Sequence, residues 1–193
     1  RNAASNYGQT DKNYTRNYKP YDFESDIFRA AAAGKLSSVQ YLVEQGHINV
    51  NDKNELGWTP LTIASSFGKI NIVKYLIEDC NACAEVSDRL KQTPLHYATN
   101  EGRIEVVKYL VEQCHVNVEA KDKNGCTPLY NAIEKGYFEL VKYFVEQCHA
   151  DVELKTNNGR TPFHSASYSG HIDVIKYFAE QCHQNADTKD SNG

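Results

Sequence analysis

The chain has 193 residues, 24% of them charged, and carries a net charge of −4 at neutral pH. It is long enough to bury a sizeable core, and without a surplus of Lys and Arg to neutralise phosphates or an anionic bilayer, nucleic-acid and membrane partners are disfavoured. No apolar run reaches the roughly 18 residues of a spanning helix, and no basic segment followed by an apolar stretch opens the chain.

The chain begins at Arg1 and contains no Met, so it is expected to be an excerpt of a longer protein. Residues 1–24 set Tyr7, Tyr14, Tyr18 and Tyr21 among Asn, Lys and Ser, without Leu, Val or Ile. Such a composition normally leaves a segment disordered. Tyr18, Tyr21 and Phe23 are nevertheless expected to cap the exposed face of the first folded unit, which starts near Ser25, with contact to a neighbouring molecule as the alternative.

From about Ser25 onward the chain repeats itself, which must be read before anything else. Thr59, Thr93, Thr127 and Thr161 each precede a Pro and are spaced by 34 residues. The same step carries Gly34, Gly68, Gly102, Gly136 and Gly170, then Tyr41, Tyr75, Tyr109, Tyr143 and Tyr177, then Glu44, Glu78, Glu112, Glu146 and Glu180. Five repeats are expected, at about 25–51 (with a modified start), 52–86, 87–120, 121–154 and 155–187; residues 188–193 read as the opening of a sixth.

The fourth unit shows how each is built. Thr127 before Pro128 is a helix start, because the hydroxyl caps free amides and Pro costs nothing where no N–H is needed. Leu129, Ala132 and Ile133 fall at helical spacing, and Gly136 ends this helix in the left-handed conformation. A second helix starts near Phe138, with Leu140, Val141, Phe144 and Val145 on one stripe and Lys142 and Glu146 on the solvated side. Asn and Asp around a Gly, as at Asp122 to Gly125 and Thr156 to Gly159, then reverse the chain. A single unit has two apolar helix faces and nothing to bury them against, so units must stack.

Thr93, Pro94, Leu95, His96, Ala98, Gly102, Val106, Val107 and Leu110 resemble the ankyrin signature, and the resemblance spans about Ser25 to Gly193. It implies an all-α repeat solenoid: stacked helix-turn-helix ankyrin repeats with short β-hairpin connections. The unit here is about one residue longer than the family's, and the surplus falls in Gln-Cys-His (Gln113 to His115, Gln147 to His149, Gln181 to His183). Lys91 replaces the hairpin Gly of the third repeat, which implies a different or strained turn. Thr62 and Tyr130 replace the His of Thr-Pro-Leu-His, weakening a local hydrogen-bond network.

The resemblance further implies a concave surface of hairpin tips and first helices that holds a protein partner. By register, the second repeat contributes Glu55, Leu56, Trp58, Ser66 and Phe67, and the third Arg89, Leu90, Gln92, Asn100 and Glu101. The fourth contributes Lys123, Asn124, Cys126, Glu134 and Lys135, and the fifth Asn157, Asn158, Arg160, Tyr168 and Ser169. Trp58, the only Trp, is expected to join Leu56 and Phe67 in an exposed apolar cluster of the kind that forms binding hot spots. The competing reading packs these side chains on the first repeat.

Cys80, Cys114, Cys148 and Cys182, with His115, His149 and His183 behind three of them, invite a metal hypothesis. Stacked helices lie about 8–10 Å apart, too far for neighbouring rungs to share an ion, so no metal or cofactor is expected. The six cysteines lack a disulfide framework and fit a reducing, cytoplasmic setting. The Tyr column reads as a half-buried ridge along the second helices. His96 and His164 have no evident nucleophile or orienting acid, and no phosphate loop or nucleophile elbow occurs, so an enzyme is not expected. The leading expectation is a monomeric scaffold or adaptor segment that binds protein; a spacer or recognition segment within a larger enzyme, channel or effector is the alternative.

Overall fold

The computed structural model describes residues 26–46 and 48–181; the expected cap of Tyr18, Tyr21 and Phe23, the last Cys-His pair and the opening of a sixth repeat lie outside them. Among the described residues, five helix pairs succeed one another: α1 (Asp26–Ala33) with α2 (Leu36–Gly46), α3 (Pro60–Ser66) with α4 (Ile70–Glu78), and α5 (Pro94–Asn100) with α6 (Ile104–Glu112). Next come α7 (Pro128–Lys135) with α8 (Phe138–Lys142), which runs on as a wider π turn over Tyr143–Gln147, and α9 (Pro162–Ser169) with α10 (Ile172–Gln181). No described segment is a strand; the connections are tight reversals.

Each first helix begins as its sequence requires. Thr59, Thr93, Thr127 and Thr161 are extended N-caps whose hydroxyls accept the amides of Thr62, His96, Tyr130 and His164. In α5 and α9 the His at the third helical position returns a bond to the cap amide, and in α3 Thr62 does the same with its hydroxyl. The substitution of Thr for His therefore keeps the reciprocal box, and only Tyr130 loses it. Gly136 and Gly170 end α7 and α9 at φ of 72° and 70°.

The thirty-fourth residue is absorbed at the end of the second helix. Asn81, His115 and His149 take left-handed backbone (φ 55°, 51° and 52°). The amides of Ala82, Val116 and Ala150 then reach carbonyls six residues back, on Leu76, Leu110 and Phe144. A helix stop normally spans one residue fewer, so the extra residue widens the last turn without disturbing the stack.

The core is continuous from Ile27 to Phe178. All seven residues of α3 are buried, because the helix is short and hemmed by its own partner helix and by the first helices on either side. Neighbouring first helices touch along their length, whereas successive second helices make sparser contact. Tighter spacing on the first-helix side places that side on the inside of the curve.

The second helices are laced by a ladder that explains the Tyr, Glu and Lys columns together. The Tyr109 hydroxyl donates to Glu78 at 2.7 Å, Tyr143 to Glu112 at 3.0 Å and Tyr177 to Glu146 at 3.1 Å. Lys74 and Lys108 lie 5.6 Å above the rings of Tyr109 and Tyr143, a favourable cation–π placement. Lys142 departs from the pattern, pairing with Glu139 at 2.8 Å and lying over Phe138. Tyr109 and Tyr143 thus tie their repeats to the preceding ones through both ring and hydroxyl. Replacing Tyr109 by Phe keeps the ring and removes the bond; chemical denaturation is expected to show a loss of about 1 kcal/mol with an unchanged denaturant slope, and an unchanged midpoint would deny the hydroxyl any part in the stack.

Candidate functional site

The tips are built by one residue each. Asn54 accepts the amides of Leu56 and Trp58, Asp88 those of Leu90 and Gln92, and Asp122 those of Asn124 and Cys126. Thr156 does the same more loosely for Arg160, at 3.3 Å. Successive tips are then stitched by main chain: Lys123 N–H to the Leu90 carbonyl at 2.8 Å and Asn157 N–H to the Asn124 carbonyl at 2.9 Å. The Asn157 side chain adds a bond to the Lys123 carbonyl at 2.9 Å.

The residues assigned to the surface by register fall into three groups. Glu55, Arg89, Leu90, Lys123, Asn124, Asn157 and Asn158 lie exposed on the tips, with Leu56, Gln92 and Arg160 half-buried beside them. Phe67, Lys135 and Tyr168 lie exposed at the far ends of the first helices, with Asn100, Glu101, Glu134 and Ser169 half-buried. Trp58, Cys126 and Ser66 are buried. A seven-residue helix is about 10 Å long, so tips and helix ends form two rows with buried helix between them.

The expected apolar cluster of Trp58, Leu56 and Phe67 does not form. Trp58 is only 2% exposed and packs edge-on against Tyr97 with ring centroids 4.5 Å apart. Its indole N–H donates to Asp88 at 3.3 Å. It joins the core between the second and third repeats, and Phe67 stands at the opposite end of α3. Ser66 is likewise enclosed, its carbonyl accepting the Arg103 guanidinium at 3.0 Å. The exposed apolar groups that remain on this side are Leu90 (39%), Phe67 (38%) and Tyr168 (69%), the last stacked under Arg160 at 5.3 Å.

The charged groups divide by direction. Asp88 is turned inward, taking the Tyr97 hydroxyl at 2.6 Å as well as the Trp58 indole. Asp122 is buried and receives Gln92 at 3.4 Å. Arg89, Lys91 and Lys123 point outward and are exposed. The sequence marks Lys91 as a departure without placing it in the site. It sits where the other tips have Gly57, Gly125 and Gly159, and it adopts their left-handed conformation at φ 59°. The turn type is therefore unchanged, and the strain falls on one side chain, at about 1–2 kcal/mol.

The described cysteines are held as thiols and the described histidines serve as caps, turns and ties. Burial pushes the Cys126 thiol up to about 12 and raises Cys114 and Cys148, so these sulfurs stay protonated and weakly nucleophilic. Among the described residues no group of three His, Cys, Asp or Glu side chains is placed to hold a metal ion. His96 is fully buried, bonded through Nδ1 to Thr93 and through Nε2 to the Cys126 carbonyl at 3.2 Å. It is a structural tie between repeats.

Stacked two-helix units of 34 residues, joined by tight tips and laid first helix on first helix, define a repeat solenoid that offers an extended surface. A family model for ankyrin repeats, built from three copies, matches residues 27–122 and 114–190. The chain belongs to the ankyrin-repeat family. Ankyrin repeats are generally protein-protein interaction modules. No curated protein matches the chain, and among the described residues no helix is long and apolar enough to cross a membrane.

Burial lowers the His96 imidazole from its ordinary 6.5. The unfolded chain takes up that proton below about pH 6.5 while the folded one resists it, so stability falls with decreasing pH at up to about 1.4 kcal/mol per unit. Denaturation midpoints measured from pH 7 down to pH 5 are expected to show this slope and to lose part of it in His96→Gln; the same slope in both proteins would mean that His96 is not its source.

Proposed function

We propose that the chain is a protein-interaction module, a scaffold or adaptor segment working inside the cell, that holds a protein partner across its tips and first-helix ends. The observation that carries this reading is a division among the columns. Residues that cap, stack or lace the repeats recur with few exceptions, whereas the tip column Glu55, Arg89, Lys123, Asn157 and the helix-end column Phe67, Glu101, Lys135, Ser169 change from repeat to repeat. No packing requirement accounts for the exposed Leu90, Phe67 and Tyr168. Exposed apolar anchors set among varied polar groups are what a protein surface needs for a specific contact.

The alternative, a spacer within a larger molecule, makes no demand on these columns. A photo-cross-linking residue placed at Leu90 or Phe67 in cells is expected to trap a discrete adduct, and the same residue at Lys74 or Lys108 on the second helices is not. Adducts from the second helices alone would move the interface to the other face, and none from any position would favour the spacer.

A further inference from the structure

The third tip departs from its neighbours in three ways at once. The first is backbone. A Cβ at Gly57 would come within 3.2 Å of the Arg89 amide nitrogen, and one at Gly125 within 2.8 Å of that of Asn157, so Gly at this position lets tips stack closely. Lys91 takes the same left-handed conformation, at φ 59°, while carrying a long exposed side chain. Residues held in disfavoured conformations concentrate at binding sites, where the side chain gained outweighs the strain.

The second is an exposed apolar side chain. Leu90 projects from the same tip, 39% exposed, with the Lys123 amide bonded to its carbonyl at 2.8 Å. The third is charge. Arg89, Lys91 and Lys123 surround Leu90 on two adjacent tips and are exposed. The carboxylates of those tips are used from within: Asp88 by two amides, the Trp58 indole and the Tyr97 hydroxyl, and Asp122 by two amides and Gln92. A chain whose net charge is −4 therefore presents three cations around one leucine here, bordered by the exposed acid Glu55 of the second tip.

We propose that the tips of the third and fourth repeats are a recognition site for an acidic protein segment, whose carboxylates pair with Arg89, Lys91 and Lys123 and whose bulky apolar side chain rests on Leu90. This rests on the array being a protein-binding module. A nucleic acid fits less well. The site has no aromatic platform for bases, since Tyr168 lies on the other row, and the net charge repels a long polyanion.

The test is selection of a random twelve-residue peptide library displayed on phage against the intact chain. The parallel targets are a charge-reversed variant (Arg89→Glu, Lys91→Glu, Lys123→Glu), Leu90→Ala and Lys91→Gly, each first checked for native far-UV circular dichroism. The native chain is expected to enrich peptides that combine Asp or Glu with Leu, Ile, Phe or Trp. A synthetic consensus peptide should then bind the charge-reversed variant at least about tenfold more weakly, and Leu90→Ala and Lys91→Gly more weakly as well. Lys91→Gly separates recognition from structure, because relief of strain should raise its melting temperature while it binds less. Enriched peptides without acidic bias, or peptides that bind the charge-reversed variant equally, would overturn this site while leaving the module reading intact, as would displacement of the peptide by an equimolar twenty-nucleotide single strand. No enrichment over the unselected library would overturn the site, and only if photo-cross-linking at Leu90 and Phe67 also traps nothing does the module reading fall with it.

Discussion

Everything in this protein depends on the inability of one repeat to cover its own helices. Helices of five to eleven residues are too short to stand alone in water, and each pair exposes apolar faces that only another pair can bury. Beside the caps and tip turns, a further set of bonds accordingly runs sideways. His96 to the Cys126 carbonyl, Tyr109 to Glu78, Arg103 to the Ser66 carbonyl and Lys53 to the Ser87 carbonyl each join one repeat to the next. Stability is then a sum over interfaces rather than a property of units.

That constraint also decides which residues are left for recognition. The first helices of the second and third repeats are so fully enclosed that they contribute only their ends, so the surface available to a partner there splits into a row of tips and a row of helix ends. Trp58 shows how the two roles are allocated. It occupies a column that varies between repeats (Trp58, Gln92, Cys126, Arg160), yet it is drawn into the interface by Tyr97 and Asp88. The same Asp88 that anchors Trp58 builds the third tip, and by turning inward it does not offset the charge of its neighbours Arg89 and Lys91 on the outer side. Packing and surface charge are set by one carboxylate.

Much of this fold is legible in the sequence because the repeat is regular. The Thr-Pro starts, the Gly136 stop and the stacking of the Tyr column along the second helices come from column and spacing; the Tyr-to-Glu bonds that lace the repeats do not. Enclosure is not legible. Register says which positions share a column, but not that the column of Trp58 and Cys126 is covered by the next tip, nor that Ser66 is closed off by Arg103 while Phe67, one residue on, is open. Thr62 illustrates a different limit: a hydroxyl and an imidazole are unlike in sequence and equivalent in geometry, since both return a bond to the cap amide. Lys91 is visible in the sequence as an oddity, and only its conformation beside an exposed Leu90 gives the oddity a meaning.

If interfaces rather than units carry the stability, the helices cannot outlast the contacts between them. Trp58 lies in the interface of the second and third repeats and is the only Trp in the chain, so its emission reports that contact while far-UV circular dichroism reports the helices. A urea titration followed by both signals on one sample tests the claim directly. A single transition with coincident midpoints is the expected result. A shift of the Trp58 emission completed at lower urea, with the helical signal still intact, would show that the repeats stand without their neighbours and would contradict it.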